Sequence, residues 1–322
     1  MPAPGWDGGH DWTGWLPFDT LPHVEDPASG ALANANNRVA PADHPAFLGR
    51  DWFEDWRFRR IGEMLGAAPT HDAAGFAAMQ RDTVSLLARD VLAPDGMLRS
   101  LPRPAGTAGT ALDLLLGWDG DIRAERPEPL ILNAFLRQLG RRALAAGACR
   151  PGPGPHGAAS SVWCSPRMAA VRRGATAIAA ALPAGRWRRR WRGWPPTSAP
   201  IRRPGAGEGA CGAIRAPAAA ADPWLADWAR LEAATGGDEW TVSRGGVGPN
   251  GWAHVHGAGL RLVADLADPD ATLASIATGQ SGNPLSAHWG ICWRAGATDG
   301  RPGWDGCRRG GRPSRAGSMR VC

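Results

Sequence analysis

From Cys149 to about Ala221 the sequence keeps neither a helical nor a strand period. It opens with CRPGPGPHG, passes through RWRRRWRGWPP at residues 186–196, and offers one Ala-rich run, Met168 to Leu182, that suits a short helix. After Trp289 the chain becomes Gly-, Arg- and Cys-rich again and shows no recognisable element. Sequence patterned to bury a core is therefore confined to residues 1–148 and 222–289, with 149–221 expected to be disordered.

Charge divides along the same boundaries. All 36 basic residues are Arg, with no Lys and no Tyr in 322 residues. Residues 149–221 hold 12 Arg against one acid, Glu208, and residues 290–322 hold 7 Arg against Asp299 and Asp305. The rest carries 17 Arg and 27 acids. The formal charge of +6 is thus two basic patches on an acidic body, which weakens the inference of a nucleic-acid partner that such a charge invites. The six cysteines follow suit: Cys149, Cys164 and Cys211 lie in one patch, Cys292, Cys307 and Cys322 in the other. None has C-x-x-C or zinc-finger spacing. No apolar run approaches 18 residues, so no membrane span is expected, and Met1-Pro-Ala-Pro lacks the basic and apolar regions of a signal peptide.

Within the patterned parts, the first 50 residues are rich in Trp, Pro, Gly and Asn and read as loops and short strands, with Ala31 to Asn36 one such strand. Phe76, Met79, Val84, Leu87 and Val91 recur at helical steps and predict one amphipathic helix over His71–Leu92, capped by Thr70 or Asp72. A second helix is predicted from Pro129 to Ala146, with Leu130, Ile131, Phe135, Leu136 and Leu139 on its apolar face and Gly147 as its stop. Trp240–Ser243, Leu260–Leu266 and Leu273–Thr278 read as strands.

Several of these segments together resemble the penicillin acylase family of N-terminal-nucleophile amidohydrolases, in the C-terminal part of the β chain. DWTGWLPFDTLPHVEDPASGALANANNRVAP (11–41), DWRFRRIGEML (55–65), MQRDTVS (79–85) and LLGWDGD (115–121) match in order. GDEWTVSRGG (237–246), HGAGLRLVADL (256–266) and GQSGNPLSAHW (279–289) follow. The likeness covers roughly 7–148 and 222–289. It implies an α+β fold, a partial four-layer α/β/β/α sandwich incomplete in this chain, and hydrolysis of a linear amide C–N bond. Absent Lys and Tyr imply GC-rich coding, and such DNA read out of frame yields mainly Arg, Ala, Gly, Pro, Trp and Cys. The stretches 149–221 and 290–322, where the resemblance lapses, are therefore expected to be frame-shifted translation.

The resemblance places Asn36 of ANANNR on the family's oxyanion-hole Asn and Arg57 of DWRFRRI on the Arg that orients it, with Arg59 and Arg60 close in register. Taken alone, Asn36 reads as a turn residue and Arg57 as a solvated or salt-bridged helix residue. The nucleophilic N-terminal Ser has no counterpart here, because Ser29 sits within the DPASG turn. The chain is thus expected to be a fragment, inactive without an α chain and the N-terminal part of the β chain, whose substrate is a small-molecule amide. The family implies a periplasmic or secreted location, whereas the chain as written would be cytoplasmic. No cofactor is assigned, although the family can bind calcium.

Other constellations read as structural. Ser281 in GQSG lacks the second Gly of a nucleophile elbow, since Asn283 stands there. His254 and His256 would share a strand face but have no third ligand nearby. Asp119 and Asp121 read as turn carboxylates rather than calcium ligands. The five Arg and three Trp of Arg186–Trp194 offer the rival reading, a polyanion- or membrane-surface-binding segment, alongside that of a non-functional remnant.

Overall fold

Apolar stripes in the first of these segments form helices, two of them with a side-chain cap at the start. In the computed structural model, which describes residues 5–49, 52–145, 235–247, 254–276, 279–283 and 285–290, five α-helices precede four short strands. The helices are α1 (Trp56–Gly66), α2 (Ala73–Met79), α3 (Leu86–Leu92), α4 (Thr107–Leu116) and α5 (Glu128–Ala145). The strands are β1 (Gly245–Val247), β2 (His254–Gly257), β3 (Leu260–Val263) and β4 (Leu273–Ile276). The expected helix at Met168–Leu182, the Arg186–Trp194 segment, the aberrant character of 149–221 and the tail beyond Gly290 lie outside the described residues.

The single helix predicted over His71–Leu92 is two. Asp72 caps α2 by accepting from the Gly75 N–H at 2.7 Å, and Ser85 caps α3 by accepting from the Ala88 N–H at 3.2 Å. Between them the chain makes a turn and then extends, with Val84 bridged to Asp121. The Ile122 N–H donates to the Thr83 carbonyl and the Ser85 N–H to the Gly120 carbonyl, both at 2.9 Å. The Thr83 hydroxyl adds a 2.6 Å bond to Asp121. The apolar period runs through the break, but two β-branched residues and a capping Ser favour extension there.

Helix α5 matches its expected span and packs on α4. Pro129, Leu132 and Leu136 are buried, while Leu130, Ile131 and Phe135 sit at the margin of the core. The core gathers Trp56 of α1, Leu87 and Val91 of α3, Leu112 and Leu115 of α4, Trp118, Ile122, Leu132 and Trp240. Helix α4 has no counterpart among the sequence expectations. It starts at Gly106 with φ +68°, and buries Gly109 where a Cβ would strike the Pro104 carbonyl.

Helix α1 is fastened by its arginines. Arg60 donates to both oxygens of Asp82 at 2.9 and 2.7 Å, and Arg59 shares Asp90 with the Trp56 indole N–H. The half-buried Arg60–Asp82 pair is a bidentate clasp between α1 and the α2–α3 turn.

The strands form two antiparallel hairpins, β1–β2 and β3–β4, each two-stranded among the described residues. Val263 and Leu273 pack with Ala73 and Ala77 of α2, and Gln80 donates to the Leu262 carbonyl at 2.9 Å. The strand expected at Trp240–Ser243 is a turn instead. Asp238 accepts from the Trp240 N–H, Thr241 Oγ1 accepts from the Asp238 N–H, and pairing starts only at Gly245. Asp265 likewise ends β3 at Val263, short of the expected Leu266, by accepting from the Ala267 N–H. The strand expected at Ala31–Asn36 is also absent; Asn side chains take the local N–H groups, leaving one bridge from Asn37 to Phe53. This N-terminal segment exposes Trp6, Trp12, Trp15 and Phe18 almost fully.

The result is a mixed α+β architecture. The loop 237–245 is laced into its centre, since Gly237 donates to the Ile122 carbonyl and Ser243 to the Asp82 carbonyl, both at 2.8 Å.

Candidate active site

An Asn-rich turn and the first turn of α1 meet here. The Asn34 side chain accepts from the Asn36 N–H at 3.0 Å and the Asn36 carbonyl accepts from the Phe53 N–H at 3.0 Å. Those bonds hold Asn36 at φ +62°, a left-handed conformation that Asn tolerates better than most residues. Its side chain then reaches α1, where Arg57 Nη2 donates to Asn36 Oδ1 at 2.9 Å. The turn character and the contact with Arg57 therefore coexist.

That bond fixes the amide's polarity. A guanidinium only donates, so the atom facing it must be Oδ1, and the Asn36 NH2 faces away with its donors uncommitted to Arg57. Asn36 is solvent-exposed. Of the three arginines in register, Arg59 is committed to Asp55 and Asp90, and Arg60 to Asp82 and Glu63. Arg57 is the one that turns to Asn36.

Aromatic rings support Arg57 from beneath. Its guanidinium lies 5.4 Å from the Phe53 ring centroid, and that of Arg244 lies 5.5 Å from the same ring. Phe53 in turn contacts Trp240, which meets Trp56 edge-to-face at 5.3 Å. Burial lowers the Arg57 pKa, the charge of Arg244 lowers it further, and Glu239 pulls it back up. Glu239 is half-buried, so desolvation raises its pKa against the opposing charges of Arg244, His256, Arg137 and Arg57. Glu239, Phe53 and Arg244 were not singled out by the sequence. The only signal for Glu239 and Arg244 was the alternation of acid, aromatic and Arg in GDEWTVSR, and Phe53 gave none.

The remaining candidates are structural. Ser281 Oγ accepts from the Asn283 N–H at 3.1 Å in an exposed turn. Ser29 Oγ donates to the Ala31 carbonyl at 3.0 Å. His254 and His256 are not presented together. A bulge between Gly246 and Val247 interrupts the register, leaving His254 buried against Gly245 and His256 exposed. His254 Nδ1 lies 2.9 Å from Thr235 Oγ1, and burial pushes its pKa down to about 4. Asp119 accepts from the Asp121 N–H, and the Asp121 carboxylate takes Thr83 and Arg123. With those oxygens engaged, the pair does not fit a calcium site. Among the described residues no group of three or more His, Cys, Asp or Glu is placed to hold a metal ion. No helix among them is long and apolar enough to cross a membrane.

Residues 1–290 match the family model for penicillin amidase. Among curated relatives, the chain is 32% identical over 313 residues to the Penicillin acylase 2 proenzyme of Pseudomonas sp. strain SE83, covering 90% of this chain and 38% of that protein. It is 31% identical over 153 residues to the acyl-homoserine lactone acylase QuiP of Pseudomonas aeruginosa, covering 44% of this chain and 18% of that protein. Against the Penicillin G acylase of Escherichia coli it is 32% identical over 170 residues, covering 47% and 19%. The chain thus spans about two-fifths or less of the length of the curated relatives it matches.

Proposed function

The chain belongs to the penicillin amidase family, and from that membership we propose that it supplies the oxyanion-binding part of an amidohydrolase acting on linear amides. The observation that carries this reading is the Arg57–Asn36 bond, made between the two residues that the family motifs single out.

In the proposed reaction a Ser hydroxyl, with its own α-amine as base, attacks the carbonyl carbon of the amide. Negative charge gathers on the former carbonyl oxygen as the tetrahedral intermediate forms. Asn36 Nδ2 donates to that oxygen, a contribution of about 2.7–4 kcal/mol for one preorganised donor. Arg57 holds Oδ1, so the amide cannot rotate to present its oxygen to the developing anion. Collapse releases the amine, and water then frees the acyl group as a carboxylic acid. Ser29 is spent within its own turn, so the nucleophile is assigned to another segment of the assembled enzyme.

The α+β segment is assigned to one side of the family's four-layer sandwich, with the outer edges of β1–β2 and β3–β4 pairing with strands contributed elsewhere. The exposed Trp6, Trp12, Trp15 and Phe18 support a partner segment, since such a row of aromatics is otherwise left in water. A proenzyme among the relatives suits an assembly of processed chains in the periplasm or outside the cell.

The test is hydrolysis of a chromogenic N-acyl amide by the enzyme assembled from this segment and its nucleophile-bearing partner. Turnover lowered about 10²–10³-fold by Asn36→Ala in the assembled protein is the expected result. Equal turnover with and without the Asn36 amide would sink the assignment.

A further inference from the structure

Two arginines outside the Asn36–Arg57 contact are brought together by bonds that their chain neighbours make. Gln80 Nε2 donates to the Leu262 carbonyl at 2.9 Å, which holds the end of α2 beside β3. The Ser243 N–H donates to the Asp82 carbonyl at 2.8 Å, which holds the next turn beside the 237–245 loop. Arg81 stands between Gln80 and Asp82, and Arg261 precedes Leu262. Arg261 Nη2 donates to the Ser243 hydroxyl at 3.4 Å, so the second clasp reaches it as well. Burial lowers the Arg261 pKa and the charge of Arg81 lowers it further, as two cations held near each other require.

Arg81 is left with an unmet donor. Its Nη1 is buried and has no hydrogen-bond partner among the described residues. Asp82, the acid next in sequence, gives both of its oxygens to Arg60. A guanidinium only donates and keeps its charge, so a buried nitrogen of this kind calls for an acceptor. Both arginines are half-buried rather than sealed, which lets a small solute reach them. Two planar forks of donors near one another suit an acceptor that carries several oxygens and a negative charge.

We propose that Arg81 and Arg261 together bind one compact oxyanion, which ties the α2–α3 turn to β3. The site uses neither Asn36 nor Arg57 and is independent of amide hydrolysis. The experiment is thermal unfolding of the full chain in low-millimolar phosphate against chloride at matched ionic strength, because anion binding to the folded state raises its midpoint. A saturable rise with phosphate is expected in the parent. R81Q is expected to weaken the apparent phosphate affinity at least about tenfold, as loss of a charge-assisted contact requires, and R261Q to do the same. R103Q, at an exposed arginine elsewhere, is expected to keep the parent's response, since general salt effects and other arginines act equally on all three variants. Phenylglyoxal labelling of the parent chain, read peptide by peptide, needs no variant: phosphate is expected to protect Arg81 and Arg261 and to leave Arg103 reactive. Equal midpoints of the parent in phosphate and chloride would overturn the proposal. So would R81Q keeping the parent's phosphate affinity, or phosphate protecting Arg103 as well as it protects Arg81.

Discussion

Arg57 and Asn36 meet through a hydrogen bond of 2.9 Å from the guanidinium to the side-chain amide oxygen. Asn36 is fixed through its backbone by Asn34 and Phe53, and Arg57 by the Phe53 ring under its guanidinium. A side-chain amide has two faces of opposite polarity, and the arginine decides which of them looks outward.

If Arg57 acts only by aiming Asn36, the two residues should behave as one unit. In the assembled enzyme, Asn36→Ala should lower kcat by about 10²–10³ with little change in KM. Arg57→Ala should cost less, and the double variant should be no slower than Asn36→Ala alone. Additive losses in that cycle would mean that Arg57 contacts the substrate itself.

Two buried groups give opposite pH dependences in the same window. Burial raises the Asp238 carboxyl to about 7, so between its ordinary 3.8 and 7 the unfolded chain has released a proton that the folded one keeps. Stability falls with rising pH there. His254 is pushed down to about 4, so between 4 and its ordinary 6.5 the unfolded chain holds the extra proton, and stability rises with pH. Asp238→Asn, which can still accept from the Trp240 N–H, should therefore gain on the parent by a few kcal/mol, to order of magnitude, as pH climbs from 4 to 7. His254→Gln should gain on the parent as pH drops from 6.5 to 4. Urea titrations at pH 4, 5.5 and 7 read both, and the same slope in all three proteins would contradict the assignment.

The helix break is testable through its cap. Ser85→Ala removes the acceptor for the Ala88 N–H at a fully buried position and should cost about 1–2 kcal/mol. Leu132→Ala, deep in the core, should cost about 2–5 kcal/mol, and Ile131→Ala on the margin distinctly less. Unfolding followed by the fluorescence of buried Trp56 and Trp118 separates these cases. Equal losses at 131 and 132 would place the seam of α5 wrongly.

Gly237 stands at φ +85°, and a Cβ there would collide with the Ser243 carbonyl. Gly237→Ala should detach the 238–245 loop while α1–α5 persist. Increased acrylamide quenching of Trp240 with unchanged helical circular dichroism is the expected outcome. Quenching no different from the parent would show that the loop tolerates the methyl group.

Features set by neighbours in sequence were legible without coordinates. The span of α5 follows from Pro129 and its leucines and the Asp72 cap from local chemistry, while short motifs pointed to Asn36 and Arg57, whose side chains bond to each other. Part of what escaped depends on partners far along the chain, and part on competing local side-chain bonds. The run from Met79 to Leu92 keeps its apolar period through a break that Asp82 and Thr83 make by bonding Arg60 and Asp121. Trp240–Ser243 has the composition of a strand, but Asp238 and Thr241 tie its N–H groups and carbonyls into a turn. Glu239 carried little signal because its setting depends on the charges of Arg57, Arg137, Arg244 and His256, most of them distant in sequence.

The Arg60–Asp82 clasp sits on the helix that also carries Arg57, less than one turn away. A rigid helix turns as a lever, so a rotation permitted at residue 60 swings the guanidinium at residue 57 away from its amide. Drift at Asp82, a carboxylate bound to Arg60 and not to Asn36, would then register as misaim at Asn36, while leaving both motif residues unaltered in the sequence.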